Sequence, residues 1–113
     1  MTVDEFLAWG EEREGRWELQ DGEVLAMPPE RYVHIETKFE VAAALKGAIR
    51  RAGLPCHAVP DGATVRIAAR TAFKPDALVY CGPRLPPATV EFPEPVIVVE
   101  VLSEGTARRA TTG

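Results

Sequence analysis

The sequence predicts a fold of the α/β class, in which short strands form a sheet and one long helix packs against it. Three observations support this prediction. Residues 95–103 are an almost continuous apolar, β-branched run, typical of a buried strand. Residues 31–52 carry apolar side chains at helical spacing. Residues 16–27 alternate in polarity around an Asp-Gly pair, as in a β-hairpin. The chain of 113 residues is long enough for one domain with its own core.

The composition excludes several classes of protein. Hydrophobic residues make up 46% of the chain and charged residues 27%, which is ordinary for a globular protein and unlike a disordered or fibrous one. No apolar run reaches the roughly 20 residues that a membrane helix needs. Residues 1–5 are acidic where a signal peptide would be basic, and Cys56 and Cys81 lie in apolar runs without a metal-type spacing. We therefore expect a cytoplasmic protein whose cysteines are reduced core residues.

The charge is unevenly distributed. The net charge of −4 argues against a general binder of polyanions. Residues 1–40 hold eleven acids against four Lys and Arg, whereas residues 41–113 hold six acids against nine. A mildly basic second half is compatible with a nucleic-acid surface.

The first two elements have clear local signals. Residues 2–5 have the form of a capping box, which predicts a short helix ending at Gly10. Residues 16–20 and 23–27 alternate polar and apolar side chains. Asp21-Gly22 between them supplies the positive φ angles of a type I′ turn, so a β-hairpin is expected.

A long helix is predicted over residues 31–52, after Pro28-Pro29. The apolar residues that recur at helical spacing, and that we expect to be buried, are Ile35, Phe39, Ala42, Leu45 and Ile49. Arg50 and Arg51 lie in the last turn, where cations suit the helix dipole, and Gly53 follows as the C-terminal cap.

The second half of the chain is predicted to be mainly extended. Two short runs, 54–59 and 64–68, are separated by Pro60-Asp61-Gly62, which predicts a second turn of the hairpin type. The remaining segments are a connection over 70–73, a strand over 74–81, a loop with five prolines over 82–95, a central strand over 95–103 and a frayed tail over 104–113.

Two acids in apolar strands are the strongest candidates for chemistry. Glu100 lies in the middle of the run 95–103, and an ionised carboxylate buried without a partner costs several kcal/mol. It must therefore meet an arginine, a shared proton or a metal ion. Asp76 begins the neighbouring strand, and the two acids together suit Mg²⁺ or Mn²⁺. The alternative is that Asp76 caps a turn after Pro75 while Glu100 pairs with a buried arginine.

Three further polar residues have plain structural explanations. Glu18 lies on the polar side of the hairpin, and His34 and Lys38, four residues apart, share a face of the long helix beside the apolar stripe. Taken alone, these patterns are typical of the surfaces of strands and helices. The sequence contains no nucleophile elbow, Walker loop, HExxH or GxGxxG motif.

Four segments, in order and register, resemble the Uma-two family of bacterial endonucleases, which belongs to the restriction-endonuclease-like PD-(D/E)XK superfamily. The segments are residues 17–23, Pro28-Pro29 with His34, residues 74–79, and residues 95–103 followed by Thr106. The resemblance covers about residues 16–109. It implies a single restriction-endonuclease-like domain over residues 1–113, with a central mixed β-sheet flanked by helices.

The resemblance also implies hydrolysis of phosphodiester bonds in nucleic acid, DNA in the first instance, with Mg²⁺ or Mn²⁺. Asp76 corresponds to the motif aspartate and Glu100 to the acid that follows it, both as metal ligands, with the carbonyl of Val101 as a third. Glu18 resembles the family's additional acid near the metal. His34 matches the histidine that opens the long helix and faces the scissile phosphate.

The chain departs from the pattern of the superfamily at one important position. The lysine expected two residues after the second acid, where it offsets developing charge, is Leu102 here. Relatives tend to be longer at the C-terminus, and they carry an aspartate where Ala110 stands. One hypothesis is therefore an endonuclease in which Lys38 or Lys74 replaces the missing lysine. The other is a catalytically inactive, truncated member that acts as a binding or assembly module and forms a homodimer.

Overall fold

The computed structural model describes residues 1–102, and these form two helices and eight strands. The helices are α1 (Val3–Glu11) and α2 (Tyr32–Ala52). The strands are β1 (Trp17–Gln20), β2 (Glu23–Ala26), β3 (Cys56–Pro60), β4 (Thr64–Ala68), β5 (Thr71–Phe73), β6 (Ala77–Cys81), β7 (Glu91–Phe92) and β8 (Ile97–Val99). Ser103, at the end of the predicted central strand, and the predicted tail over residues 104–113, with Thr106 and Ala110, lie outside the described residues. Neither helix is long and apolar enough to cross a bilayer.

The strands form two sheets. The first has five strands in the order β2-β1-β5-β4-β7, and it is mixed because β4 and β7 run parallel while its other pairs are antiparallel. The second has three antiparallel strands in the order β3-β6-β8. The predicted α/β class with a mixed sheet is confirmed, and the arrangement is consistent with a restriction-endonuclease-like core.

The N-terminal elements form as the local signals predict. The Thr2 hydroxyl accepts a hydrogen bond from the backbone of Glu5, and the Glu5 carboxylate accepts one from the backbone of Thr2, which completes the capping box of α1. Asp21 and Gly22 have φ angles of 48° and 84°, so both central residues of the β1–β2 turn are left-handed, as a type I′ turn requires.

The long helix has the predicted extent but turns a different face to the sheets. α2 ends at Gly53 in the left-handed conformation, as expected. Within the predicted buried stripe, however, Ile35 is 48% exposed and Phe39 is 68% exposed, whereas Lys38 is only 6% exposed. The prediction of a buried apolar stripe was therefore wrong at the start of α2, because hydrogen bonds to carboxylates hold Lys38 inward.

The chain between β3 and β6 follows a path that the sequence does not predict. β3 and β4 are not paired: β3 pairs with β6, whereas β4 pairs with β5 and β7. Pro60-Asp61-Gly62 therefore carries the chain from one sheet to the other instead of closing a hairpin. The segment predicted as a connection, Thr71–Phe73, is itself the strand β5 and lies between β1 and β4. Turn residues specify a change of direction, but the pairing depends on partners distant in sequence.

The predicted central strand lies at an edge of its sheet. Within residues 1–102, β8 pairs only with β6. Val96, Ile97 and Val98 are 64%, 44% and 40% exposed, and Glu100 is exposed as well. The prediction of a strand buried on both faces, with Glu100 deep inside it, is wrong for the described part of the chain.

The two cysteines are joined to each other. Cys56 and Cys81 lie directly opposite in the antiparallel β3–β6 pair and form a disulfide. The prediction that they are reduced core residues was wrong, because a sequence separation of 25 hides their alignment across two strands. The cysteines consequently give no support to the expected cytoplasmic location.

The most buried strand supports the part of the molecule that carries the acids. Residues 77–80 of β6 are at most 7% exposed, and Leu78 and Tyr80 pack in a core cluster with Ala63 and Val65. A second cluster joins α1 to β1 and β5 through Val3, Phe6, Leu19 and Ala72. Asp76 comes immediately before β6, so its backbone is anchored by the best-packed element of the fold.

Candidate functional site

Polar side chains from four segments converge where the start of α2 meets the two sheets. Glu30 precedes α2, and His34 and Lys38 follow at intervals of four residues, which places all three along one side of the helical segment. Asp61 follows β3, and Asp76 precedes β6. These five residues are here called the acidic cluster. Glu100 follows β8, which lies beside β6 in the three-stranded sheet.

Asp76 is the central acid of this arrangement and is only 6% exposed. Its Oδ2 atom accepts a hydrogen bond of 2.6 Å from the backbone N–H of Val101. Its Oδ1 atom lies 3.6 Å from Nε2 of His34 and 4.0 Å from Nζ of Lys38. Asp76 also donates its own backbone N–H to the carbonyl of Val99, so β8 fixes both its backbone and its carboxylate.

Glu100 is the acid whose carboxyl group is affected most by Asp76. Partial loss of water around its carboxyl group, the negative charges of Asp76 and Glu18, and a side-chain hydrogen bond to Asp76 together raise the pKa of Glu100 to about 7. The residue as a whole is exposed, so one side of its carboxyl group faces solvent while the other faces the acids. At neutral pH the Glu100 carboxyl group is therefore close to half protonated.

Lys38 is the buried cation of the acidic cluster. Its ammonium group donates to both carboxylate oxygens of Glu30 at 2.6 Å and to Oδ2 of Asp61 at 2.7 Å. Burial is the largest single influence on its pKa and lowers it, but the hydrogen bonds and charges of Asp61 and Glu30 outweigh burial and raise the pKa of Lys38 above its usual value. Lys38 therefore remains protonated and acts as a fixed positive charge.

Two further groups complete the charge balance of the cluster. Arg16 forms ion pairs with Asp61 and, at 3.5 Å, with Glu30. His34 lies 3.4 Å from Glu30 and 3.6 Å from Asp76, so its Nε2 atom bridges two acids. Carboxylates still outnumber permanent cations here, because Asp76 and Glu100 form no ion pair within 3.5 Å among residues 1–102.

Glu18 and Lys74 lie beside the cluster and are linked to each other. A carboxylate oxygen of Glu18 accepts a hydrogen bond of 2.8 Å from the backbone N–H of Lys74. The Lys74 ammonium donates to the carbonyl of Trp17 and lies 5.4 Å from the ring of Phe6. Burial, ahead of the neighbouring charges, lowers the pKa of Lys74. Its ammonium is thus directed toward α1 and β1, whereas that of Lys38 faces the acids.

One set of side chains is arranged closely enough to share a metal ion. Ligand atoms of Glu30, His34 and Asp76 all lie within 4.8 Å of one another. Of the set predicted from the sequence, the structure places Glu100 against Asp76. It brings Val101 to Asp76 through its N–H, and it places Glu18 where its charge acts on Glu100. A carboxylate and histidine site therefore exists around Asp76.

The comparison with protein families gives a match over nearly the whole chain. Residues 3–112 match the family model Uma2, described as "Putative restriction endonuclease". The chain belongs to the Uma2 family. A comparison with curated proteins found no match. The Uma2 match includes both helices, all eight strands and every member of the acidic cluster.

Two members of the acidic cluster were not predicted from the sequence. Glu30 lies four residues before His34, and this spacing is the signal that could have revealed it. Asp61 was interpreted only as a turn residue, and nothing local in Pro60-Asp61-Gly62 indicates that it meets Lys38, 23 residues earlier. Both residues bind the lysine, so they determine where its charge lies.

The raised pKa of Glu100 predicts how the stability of the metal-free protein depends on pH. Between about pH 4.5 and 7 the folded protein keeps a proton that the unfolded chain has lost, so folding becomes less favourable as pH rises through this window. Above about pH 7 Glu100 is ionised in both states, so it no longer makes the free energy of unfolding depend on pH. We expect Glu100→Gln to remove this contribution to the slope of the free energy of unfolding against pH. Because solvent screens an exposed carboxylate, Glu100→Gln should raise the free energy of unfolding at pH 8 by only a few tenths to about 1 kcal/mol.

Urea unfolding at pH 5, 6, 7 and 8 in the presence of a chelator measures this slope. Glu23→Gln, the same substitution at an exposed position of β2, is the matched control. Its free energy of unfolding should depend on pH as that of the wild type does. Identical pH profiles for the wild type and Glu100→Gln would contradict the coupling between Glu100 and Asp76.

Proposed function

We propose that this Uma2 protein is a metal-dependent endonuclease that hydrolyses phosphodiester bonds in nucleic acid. The observation that supports it most directly is geometric: ligand atoms of Glu30, His34 and the buried Asp76 lie within 4.8 Å of one another. Glu100 adds a carboxyl group whose pKa is raised to about 7 by partial burial and by the charge of Asp76, and a divalent cation bound there would offset this unfavourable closeness of two acids.

The residues around Asp76 fit a hard divalent cation. Mg²⁺ prefers one or two carboxylates and keeps several waters, which suits a buried Asp76 beside a solvent-facing Glu100. His34, 3.6 Å from Asp76, adds a nitrogen donor that Mn²⁺ accepts. Both carboxylate oxygens of Glu30 already accept hydrogen bonds from Lys38, which leaves Asp76 and Glu100 as the main proposed ligands. When bound, the cation would activate a water molecule and polarise the scissile phosphate.

Val101 and Glu18 support the proposed ligands from either side. The N–H of Val101 holds one carboxylate oxygen of Asp76, so it orients the ligand directly, and its carbonyl remains the predicted third ligand. Glu18 binds the backbone of Lys74, two residues before Asp76, and its charge helps to raise the pKa of Glu100. Glu18 is therefore a positioning residue that also increases the affinity of the site for a cation.

Lys38 is the proposed substitute for the lysine that is absent at Leu102. Its permanently charged ammonium lies 4.0 Å from Asp76, where it can stabilise negative charge that develops on the phosphate. The Lys74 ammonium is directed toward Trp17 and Phe6 rather than toward Asp76, which makes Lys74 the weaker candidate. The Nε2 atom of His34, between Glu30 and Asp76, can either bind the cation through its lone pair or, when protonated, donate to the phosphate, but it cannot do both at once.

Cleavage of supercoiled plasmid DNA in Mn²⁺ or Mg²⁺ tests the proposed activity. We expect Asp76→Asn and Glu100→Gln to lower the rate by at least about 100-fold, because each removes a charged ligand from the cation. Calorimetric titration of the same variants with Mn²⁺ should show loss of the binding seen in the wild type.

Glu23→Gln, which lies outside the acidic cluster, serves as the control and should cleave at the wild-type rate. Absence of Mn²⁺ binding to the wild type at millimolar concentration would rule out the proposed metal site. Cleavage that survives in both ligand variants would indicate a contaminating nuclease.

The choice between the two lysines is a separate prediction. Lys38→Gln should reduce Mn²⁺-dependent cleavage by about 100-fold, whereas Lys74→Gln should leave it near the wild-type rate. Lys38→Arg keeps the charge beside Glu30 and Asp61, so it should restore part of the activity and the stability of the fold. If Lys74→Gln loses activity and Lys38→Gln keeps it, the assignment is reversed.

The exposed apolar face of α2 favours a second candidate function, assembly with another copy of the chain. Three exposed residues recur at spacings of three and four and so share one face of the first half of α2: Tyr32 (76% exposed), Ile35 (48%) and Phe39 (68%). A contiguous apolar patch on a surface is typical of an interface. This function does not require catalysis, and it corresponds to the inactive member considered from the sequence.

Light scattering after size-exclusion chromatography tests the assembly function. We expect a dimer in the wild type and a monomer in the double variant Tyr32→Ser with Phe39→Ser, because these changes remove the largest apolar groups of the patch. Ile67→Ser, at a position that is 64% exposed on β4, is the control and should remain dimeric. A monomeric wild type at high micromolar concentration would exclude this function.

A further inference from the structure

A cleft of about 280 Å³ lies at the far end of α2 from the acidic cluster. Its walls include Lys46 and Arg50 from the second half of α2, His57 from β3, and Arg84 from the loop that follows β6. We call it the cationic cleft. The ring of His57 is held in the wall by a hydrogen bond of 2.8 Å between its Nε2 atom and the carbonyl of Gly82.

The charge of the cationic cleft has one sign. Among residues 1–102, no carboxylate contributes to its lining. Every ion pair formed within residues 1–102 involves other cations, so Lys46, Arg50 and Arg84 have no acidic partner there. All three side chains are exposed to solvent. Unpaired cations converging on one cleft, in a protein of net charge −4, form a site for an anion.

The helix dipole does not explain this convergence. Arg50 lies in the last turn of α2, where a cation is favoured by the partial negative charge of the helix end. Lys46 is a full turn earlier, however, and Arg84 comes from a different segment altogether. Arg51 shares the last turn with Arg50 yet does not line the cleft, so the dipole alone would not distinguish the two.

The position of the cationic cleft relative to the acidic cluster matches the dimensions of a nucleic acid. Lys46 and Arg50 follow Lys38 by eight and twelve residues on the same helix, which at 1.5 Å per residue is roughly 12 to 18 Å along its axis. Successive phosphates of one strand of a duplex are spaced about 3.4 Å along the duplex axis. The two sites are therefore separated by about four or five phosphates.

We infer that the cationic cleft binds backbone phosphates of a nucleic acid, a few nucleotides away from the phosphate that the acidic cluster would cleave. This inference rests on the proposed function and identifies where the chain holds its substrate. Lysine and arginine contacts to phosphate carry no sequence information, so the cleft contributes affinity and register without base specificity.

Fluorescence anisotropy with a labelled 20-base-pair DNA duplex, in a chelator so that no cleavage occurs, tests the inference. We expect the triple variant Lys46→Gln, Arg50→Gln and Arg84→Gln to bind at least about tenfold more weakly at low salt. The slope of log K against log salt should fall by about 2 to 3, since each phosphate contact contributes about 0.9. Arg84→Gln alone, an exposed change in a loop, should lower the slope by about 1 without affecting folding.

The matched control is Arg51→Gln, which removes the same charge from the same helical turn and should change neither the affinity nor the slope. A wild-type protein that does not bind the duplex at low salt would overturn the inference, and so would a triple variant that binds like the wild type. Binding that depends on the cleft supports the inference even if Mn²⁺ produces no cleavage, a result that would remove only the nuclease activity.

Discussion

The excess of carboxylates around Asp76 is the constraint on which the rest of this structure depends. Glu30 and Asp61 are paired with the two cations Lys38 and Arg16, whereas Asp76 and Glu100 form no ion pair within 3.5 Å among residues 1–102. A folded domain is stable by only about 5–15 kcal/mol, so uncompensated charge at this position must be small or must be offset by a bound cation. The fold accordingly places the acids where water reaches Glu100 while β6 and β8 hold Asp76 in place.

The orientation of α2 follows from the same constraint. With Lys38 turned inward to reach Glu30 and Asp61, the side chains of Ile35 and Phe39 are turned outward. Burying the apolar side chains instead would gain about 1.5–3 kcal/mol for each one, but it would leave two acids without their cation. The polar contacts prevail, and the helix presents an apolar face to the solvent. The proposed catalytic centre and the proposed assembly surface therefore lie on two sides of the first half of the same helix.

The sequence predicts well those features that arise from local chemistry. The capping box of α1, the Asp21-Gly22 turn and the extent of α2 each depend on residues within one segment, and all were confirmed. The features that it does not predict depend on partners distant in sequence: the alignment of Cys56 with Cys81, and the separation of β3 from β4. Lys38 is the clearest case, because hydrophobic periodicity assigns a lysine to the surface and cannot anticipate carboxylates on other segments.

Separation of opposite charges along α2 makes the two proposed sites compatible. Under the proposed function, the acidic cluster must bind a cation, whereas the cationic cleft must bind a polyanion. Lys38 is held near Asp76 by Glu30 and Asp61, but further lysines or arginines placed directly against Asp76 would compete with a metal ion for its carboxylate. At physiological salt the Debye length is about 8 Å, shorter than the roughly 12 to 18 Å along the helix between Lys38 and the cleft. The cations of the cleft can therefore attract phosphates without weakening the affinity of the acids for a metal.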